Sequence, residues 1–116
     1  MTERRFEDRL LCADIVEVEW TDNPGELRIA NALLEDISPI GLCLQLDYML
    51  PAGTAVTIRM KGRSIPASVQ YCAWREIGYF TGLVFQTGFR WSSHLFRPQH
   101  LLNPAILQSN DAKPVV

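Results

Sequence analysis

The sequence predicts an all-β domain: a six-stranded antiparallel β-barrel followed by a short C-terminal helix. Apolar residues recur with a period of two in six short runs, Pro and Gly turn signals separate the runs, and helical periodicity is almost absent before residue 90. The 116 residues suit one domain, and a chain of this size buries roughly two thirds of its unfolded surface around a single core.

Residues 1–9, MTERRFEDR, carry three Arg and three acids with neither a helical nor a strand period, and read as an arm that orders on demand. The barrel and its helical segment follow over residues 10–107. Val16, Val18 and Trp20 alternate with Glu17 and Glu19; Leu27, Ile29 and Leu33 keep the two-residue period; Leu42, Leu44 and Leu46 alternate with Cys43, Gln45 and Asp47. Each run is expected to bury its apolar face. After the MLPAG turn, Val56, Ile58 and Met60 should face inward, with Thr57, Arg59 and Lys61 outward. Gly62 marks a hairpin reversal. Ile65, Ala67, Val69 and Tyr71 then alternate with Ser64, Ser68 and Gln70, and GYFTGLVFQ, residues 78–86, makes the sixth strand.

Beyond residue 90, Ser92 and Ser93 are placed to cap a short helix through SHLF, which Pro98 ends or kinks before QHLLNPAIL adds a further turn. Leu95, Phe96, Leu101 and Leu102 are expected to cover one barrel mouth. Trp91 joins that cover or, with Leu101 and Leu102, forms a partner-facing patch. Residues 108–116 are polar and expected to be disordered.

Composition excludes several classes. Apolar residues make up 47% and charged residues 21%, and no run approaches the ~18 apolar residues of a membrane span. The charged N-terminus has no apolar signal region, so the chain reads as cytoplasmic. Cys12, Cys43 and Cys72 are odd in number and widely spaced, which suits core positions rather than a disulfide framework or a zinc site. His94 and His100 match no metal-ligand spacing, and neither a nucleophile elbow nor a glycine-rich phosphate loop is present. No enzyme and no cofactor is therefore expected. With a net charge of −2, any anion site must come from local arginine, of which there are nine against two lysines.

Two clusters stand out. In RRFEDR, Arg5 and Arg9 lie four apart on one side of a helical turn or an extended strand, with Arg4 beside them. Alone, such a terminus reads as a solvated charge run. In DISPIG, Asp36, Ser38 and Gly41 head a strand; alone, they read as a turn whose side chains bond nearby backbone. In order, RxxxR followed about thirty residues later by DxSxxG in a six-stranded β context resembles the PilZ family. The resemblance runs from about Arg4 to Gln86 and includes the late GLVFQ strand. Ile40 stands where members often carry a second glycine, which stiffens the loop.

That resemblance implies a PilZ-like barrel that binds the bacterial second messenger cyclic di-GMP, with Arg4, Arg5, Arg9, Asp36, Ser38 and Gly41 at the site. It also implies an arm that changes position on binding, and an Arg4 placed to favour a stacked ligand dimer. The chemistry of these residue types agrees. Guanidinium forks suit phosphate oxygens and the O6 and N7 acceptors of guanine, and a carboxylate suits the N1–H and N2–H₂ donors. Ser38 would add a hydroxyl, and Gly41 room for close approach. Glu7 and Asp8 can pair with the arginines in the free arm.

The chain contains no output domain, so a downstream partner protein or self-association must carry the signal; neither that partner nor the oligomeric state is legible. A PilZ-fold interaction module that binds no nucleotide is the alternative. A third reading, single-stranded nucleic acid stacked on Trp20, Trp74 or Tyr79, is disfavoured by the net negative charge, so no nucleic acid polymer is expected as a partner.

Overall fold

The computed structural model describes residues 9–99, and within them the chain forms β1 (Leu10–Thr21), β2 (Leu27–Ile37), β3 (Gly41–Leu46), β4 (Ala55–Met60), β5 (Arg63–Arg75) and β6 (Gly78–Phe85). Every neighbouring pair is antiparallel, and the order β1-β2-β3-β6-β5-β4 closes on itself. The all-β, six-stranded barrel expectation therefore holds. Among the described residues no helix is long and apolar enough to cross a membrane.

Local chemistry explains the turns and the core. The β4–β5 reversal uses two residues, Lys61 and Gly62, both at positive φ (53° and 73°), the primed geometry that matches the twist of a hairpin. Val16, Val18 and Trp20 face inward with Leu42, Leu44, Leu46, Val56, Ile58 and Met60, as alternation predicts. Each fully buried Leu, Ile or Val contributes about 1.5–3 kcal/mol relative to exposure.

β2 is turned over relative to expectation. Leu27 and Ile29 are 60% and 55% exposed, while Ala32 and Leu34 are buried. Volume is the reason: Val18 pairs with Ala30 and Val16 with Ala32, so the bulky inward residues of β1 are met by alanine. Choosing the larger apolar residues of this run as its core face assigned the wrong side.

Two β-bulges matter more. In β2, Leu34 pairs with Leu44 but Asp36 pairs with Cys43, leaving Glu35 as the extra residue. Without it Asp36 would follow Leu34 into the core; with it Asp36 turns outward and Ile37 is fully buried. In β5, Val69 pairs with Leu83 but Tyr71 pairs with Gly82, leaving Gln70 as the extra residue. Tyr71, expected on the inward face with Val69, is consequently 46% exposed on the outside.

Within residues 91–99 the C-terminal segment covers one end of the barrel with a single turn. Residues 93–95 form a single turn held by Leu95 N–H to Ser92 O at 2.9 Å. Trp91 is buried, its indole N–H donates to Phe96 O at 3.1 Å, and Phe96 packs on the core, so this part covers the barrel. Pro98 disfavours helical geometry at residue 97 and lacks a donor N–H, which stops the turn from propagating. The rest of the expected helical segment, with His100, Leu101, Leu102 and residues 108–116, lies outside the described residues.

Candidate functional site

The β2–β3 turn is built by its own side chains. Ser38 N–H donates to Gly41 O at 2.8 Å, the Ser38 hydroxyl lies 3.3 Å from the same oxygen, and Ile40 N–H points at that hydroxyl at 3.4 Å. Ser38 is 6% exposed, so its hydroxyl serves the turn in this state. Gly41 is needed for approach rather than for an unusual φ, since a Cβ there would collide with Leu83 O of β6. The turn is tied down from outside by Phe85 N–H to Ile40 O (2.9 Å) and Trp91 N–H to Pro39 O (3.0 Å).

Beside this turn the arm enters. Arg9 grips Asp36 with a fork: Nε donates to Oδ1 at 3.2 Å, and Nη2 donates to Oδ1 at 3.1 Å and Oδ2 at 3.0 Å. The partners are 27 residues apart in sequence and both are partly buried, so the fork is a stronger tie than an ordinary surface pair. Arg9, Asp36, Ser38 and Gly41 all line one cleft of about 80 Å³. Arg4 and Arg5 lie outside the described residues.

Strand register brings Asp36, Gly82 and Tyr71 of this cleft onto one face. Leu11 pairs with Asp36, Asp36 with Cys43, Cys43 with Gly82, and Gly82 with Tyr71, one continuous lateral row on the outer face across β1, β2, β3, β6 and β5. Cys43 and Gly82 are small, which leaves room for a large neighbour on this face. The Tyr71 ring lies directly over Gly82, where a Cβ would strike it. Tyr71 and Gly82 thus join the site, although alternation alone does not single them out. A signal did exist: counting outward from the Glu76-Ile77 turn sets Tyr71 opposite Gly82, and glycine inside a strand marks close approach.

Burial pushes the Asp36 carboxyl above its ordinary value, and the charge and hydrogen bonds of Arg9 pull it back only in part. For Arg9, burial works against the charge, yet Asp36 and Tyr71 outweigh it and hold the guanidinium above its usual value. Burial also pushes the Cys43 thiol up to about 11, so it is neutral at physiological pH and no nucleophile. Because the folded-state value of Asp36 lies above the unfolded one, its contribution to stability is fullest below the ordinary aspartate range. That contribution is lost as pH rises through the raised value. Carboxyl ¹³C titration should show Asp36 protonating above ordinary aspartates, and Arg9→Ala should move its midpoint higher still; a midpoint that falls in the variant would contradict this charge balance.

Among the described residues no three His, Cys, Asp or Glu side chains gather as metal ligands. A larger hollow of about 580 Å³ lies between Trp20, Val56 and Phe85, but its one charged lining residue, Glu19, is engaged by Arg59. It offers nothing to an anion. The Arg9–Asp36 cleft combines a cation, a carboxylate and a flat aromatic seated on glycine, which together suit a planar, hydrogen-bonding, anionic ligand. No protein-family model and no curated protein matches the chain.

Proposed function

We propose that this domain is a PilZ-type receptor for cyclic di-GMP that repositions its N-terminal arm on binding and passes the signal to a partner protein. The observation that carries the reading is the meeting of Arg9 and Asp36, one residue from each sequence motif, in a single cleft with Ser38 and Gly41. Asp36 would accept the N1–H and N2–H₂ donors of guanine, while Arg9 would fork onto phosphate oxygens and the upstream Arg5 onto phosphate oxygens or the O6 and N7 edge. Four residues of chain span at most about 14 Å, so Arg5 is tethered within reach of the ligand that Arg9 touches. Arg4, one residue further, would add charge for a second, stacked nucleotide. Ser38 and Gly41 contribute the rigid turn that holds Asp36 in place.

Tyr71 adds what the two motifs lack, a flat face for a purine. Stacking of a base on an aromatic side chain is worth about 1–3 kcal/mol, so Tyr71→Ala should weaken cyclic di-GMP binding roughly 10-fold. Gly82→Ala should lift the ring off its seat and weaken binding in the same direction, with the melting temperature changed by only a few degrees because the displaced ring is half exposed. Calorimetric titration of wild type and both variants tests this; unaltered affinity in Tyr71→Ala would remove the ring from the site. The receptor reading itself is tested by the same titration of wild type, which should saturate with a defined stoichiometry.

A further inference from the structure

We infer that in the free protein Arg9 occupies the guanine subsite, its Nε–H and Nη2–H holding Asp36 as the N1–H and N2–H of guanine would, so that an incoming base must displace it. The inference deepens the receptor reading and rests on it for the identity of the whole ligand.

Three observations carry it. First, the fork reaches both carboxylate oxygens of Asp36, and among the described residues Arg9 supplies every hydrogen bond that this carboxylate accepts. A planar pair of N–H donors is therefore already in the place a guanine edge would take. Second, the cleft beside the pair has a volume of only about 80 Å³, well below the ~300 Å³ at the small end of ligand pockets, so little room is left for a base while Arg9 holds Asp36. Third, Tyr71 and Gly82 line the same cleft as Arg9 and Asp36, with the Tyr71 ring packed over Gly82. A flat aromatic ring in the lining suits a planar base.

Arg9 then has two opposed effects. In the complex its released guanidinium holds phosphate; in the free state it competes with guanine for Asp36. A ligand bearing guanine but no phosphate experiences only the competition. Guanosine should therefore bind Arg9→Ala more tightly than wild type, the reverse of the order expected for cyclic di-GMP.

The test is a ¹H–¹⁵N NMR titration of wild type, Arg9→Ala and Arg9→Ala/Asp36→Ala with guanosine, and with inosine, which lacks the N2 amine. Arg9→Gln serves as a second single variant, since glutamine keeps side-chain bulk if the alanine form loses dispersion. The expected result is at least 5-fold tighter guanosine binding in the single variant, with shifts centred on Asp36, Tyr71 and Gly82. The gain should shrink for inosine and vanish in the double variant. Equal or weaker guanosine binding in both single variants, or no binding by any form, overturns the inference. The receptor reading fails separately: a wild-type protein that ignores cyclic di-GMP while Arg9→Ala gains guanosine keeps the subsite and loses the messenger.

Discussion

Arg9→Ala should lower cyclic di-GMP affinity by about 30-fold or more while leaving far-UV circular dichroism unchanged. The ligand loses two charge-assisted hydrogen bonds, each worth about 1.5–3 kcal/mol, so the gross loss is at least roughly 3 kcal/mol. Freeing Asp36 from its internal partner returns about 1 kcal/mol, the scale of a partly exposed ion pair. The remaining ~2 kcal/mol corresponds to about 30-fold. The fold should survive because Arg9 precedes β1 and makes no contribution to the buried core. Calorimetry with the variant checks the number, and an affinity equal to wild type would show that Arg9 is not a ligand group.

Gly41→Ala should have the largest effect on stability. Its Cβ would meet Leu83 O, a backbone atom at the start of the β3–β6 ladder that cannot rotate away. Relief requires β3 to separate from β6 at the first rung, where Ser38, Ile40 and Trp91 also anchor the turn. Overpacking of this kind costs about 1–3 kcal/mol or more, and a domain of this size shifts by about 4–8 °C per kcal/mol. A fall of about 10 °C in melting temperature is expected. The contrast with Gly82→Ala is diagnostic, because there the struck atoms belong to an exposed side chain that can swing outward. Similar melting temperatures for the two variants would mean that the β3–β6 rung yields more readily than a backbone contact should.

Strand identity was legible because alternation and turn chemistry agree along most of the chain; β4 and β5 show this best, with Val56, Ile58 and Met60 inward and Lys61-Gly62 at the reversal. Facing was less legible. In β2 the interior is filled by alanines opposite large β1 residues, so the more hydrophobic positions, Leu27 and Ile29, lie outside. Size complementarity between strands is invisible to a pattern read along one strand. Bulges are harder still, because a single extra residue, Glu35 or Gln70, inverts every side chain after it and leaves no mark in composition.

The same physics limited the reading of the site. Asp36, Ser38, Gly41 and Arg9 were legible as residue types at suggestive offsets, but the Arg9–Asp36 contact depends on the outward turn that Glu35 imposes. Ser38 lines the cleft and its hydroxyl also stabilises the turn, as a hydroxyl two residues before a backbone N–H ordinarily does. For Tyr71 an unbroken period predicts an inward face, which the extra residue Gln70 reverses. At the C-terminal end, Ser92 and Ser93 resembled a helix cap, yet burial of Trp91 and the bond from its indole to Phe96 O fold the chain back after one turn.

The central claim is that a guanidinium fork and a carboxylate converge on a guanine-bearing dianion. Parallel calorimetric titrations of the full chain with cyclic di-GMP and cyclic di-AMP address it most directly, since the two ligands share the phosphate ring and differ in the donors that Asp36 would read. Saturable binding of cyclic di-GMP is expected, with cyclic di-AMP at least about 100-fold weaker, consistent with leaving a partly buried carboxylate unpaired. Equal affinities, or no heat from cyclic di-GMP at millimolar concentration, would contradict it.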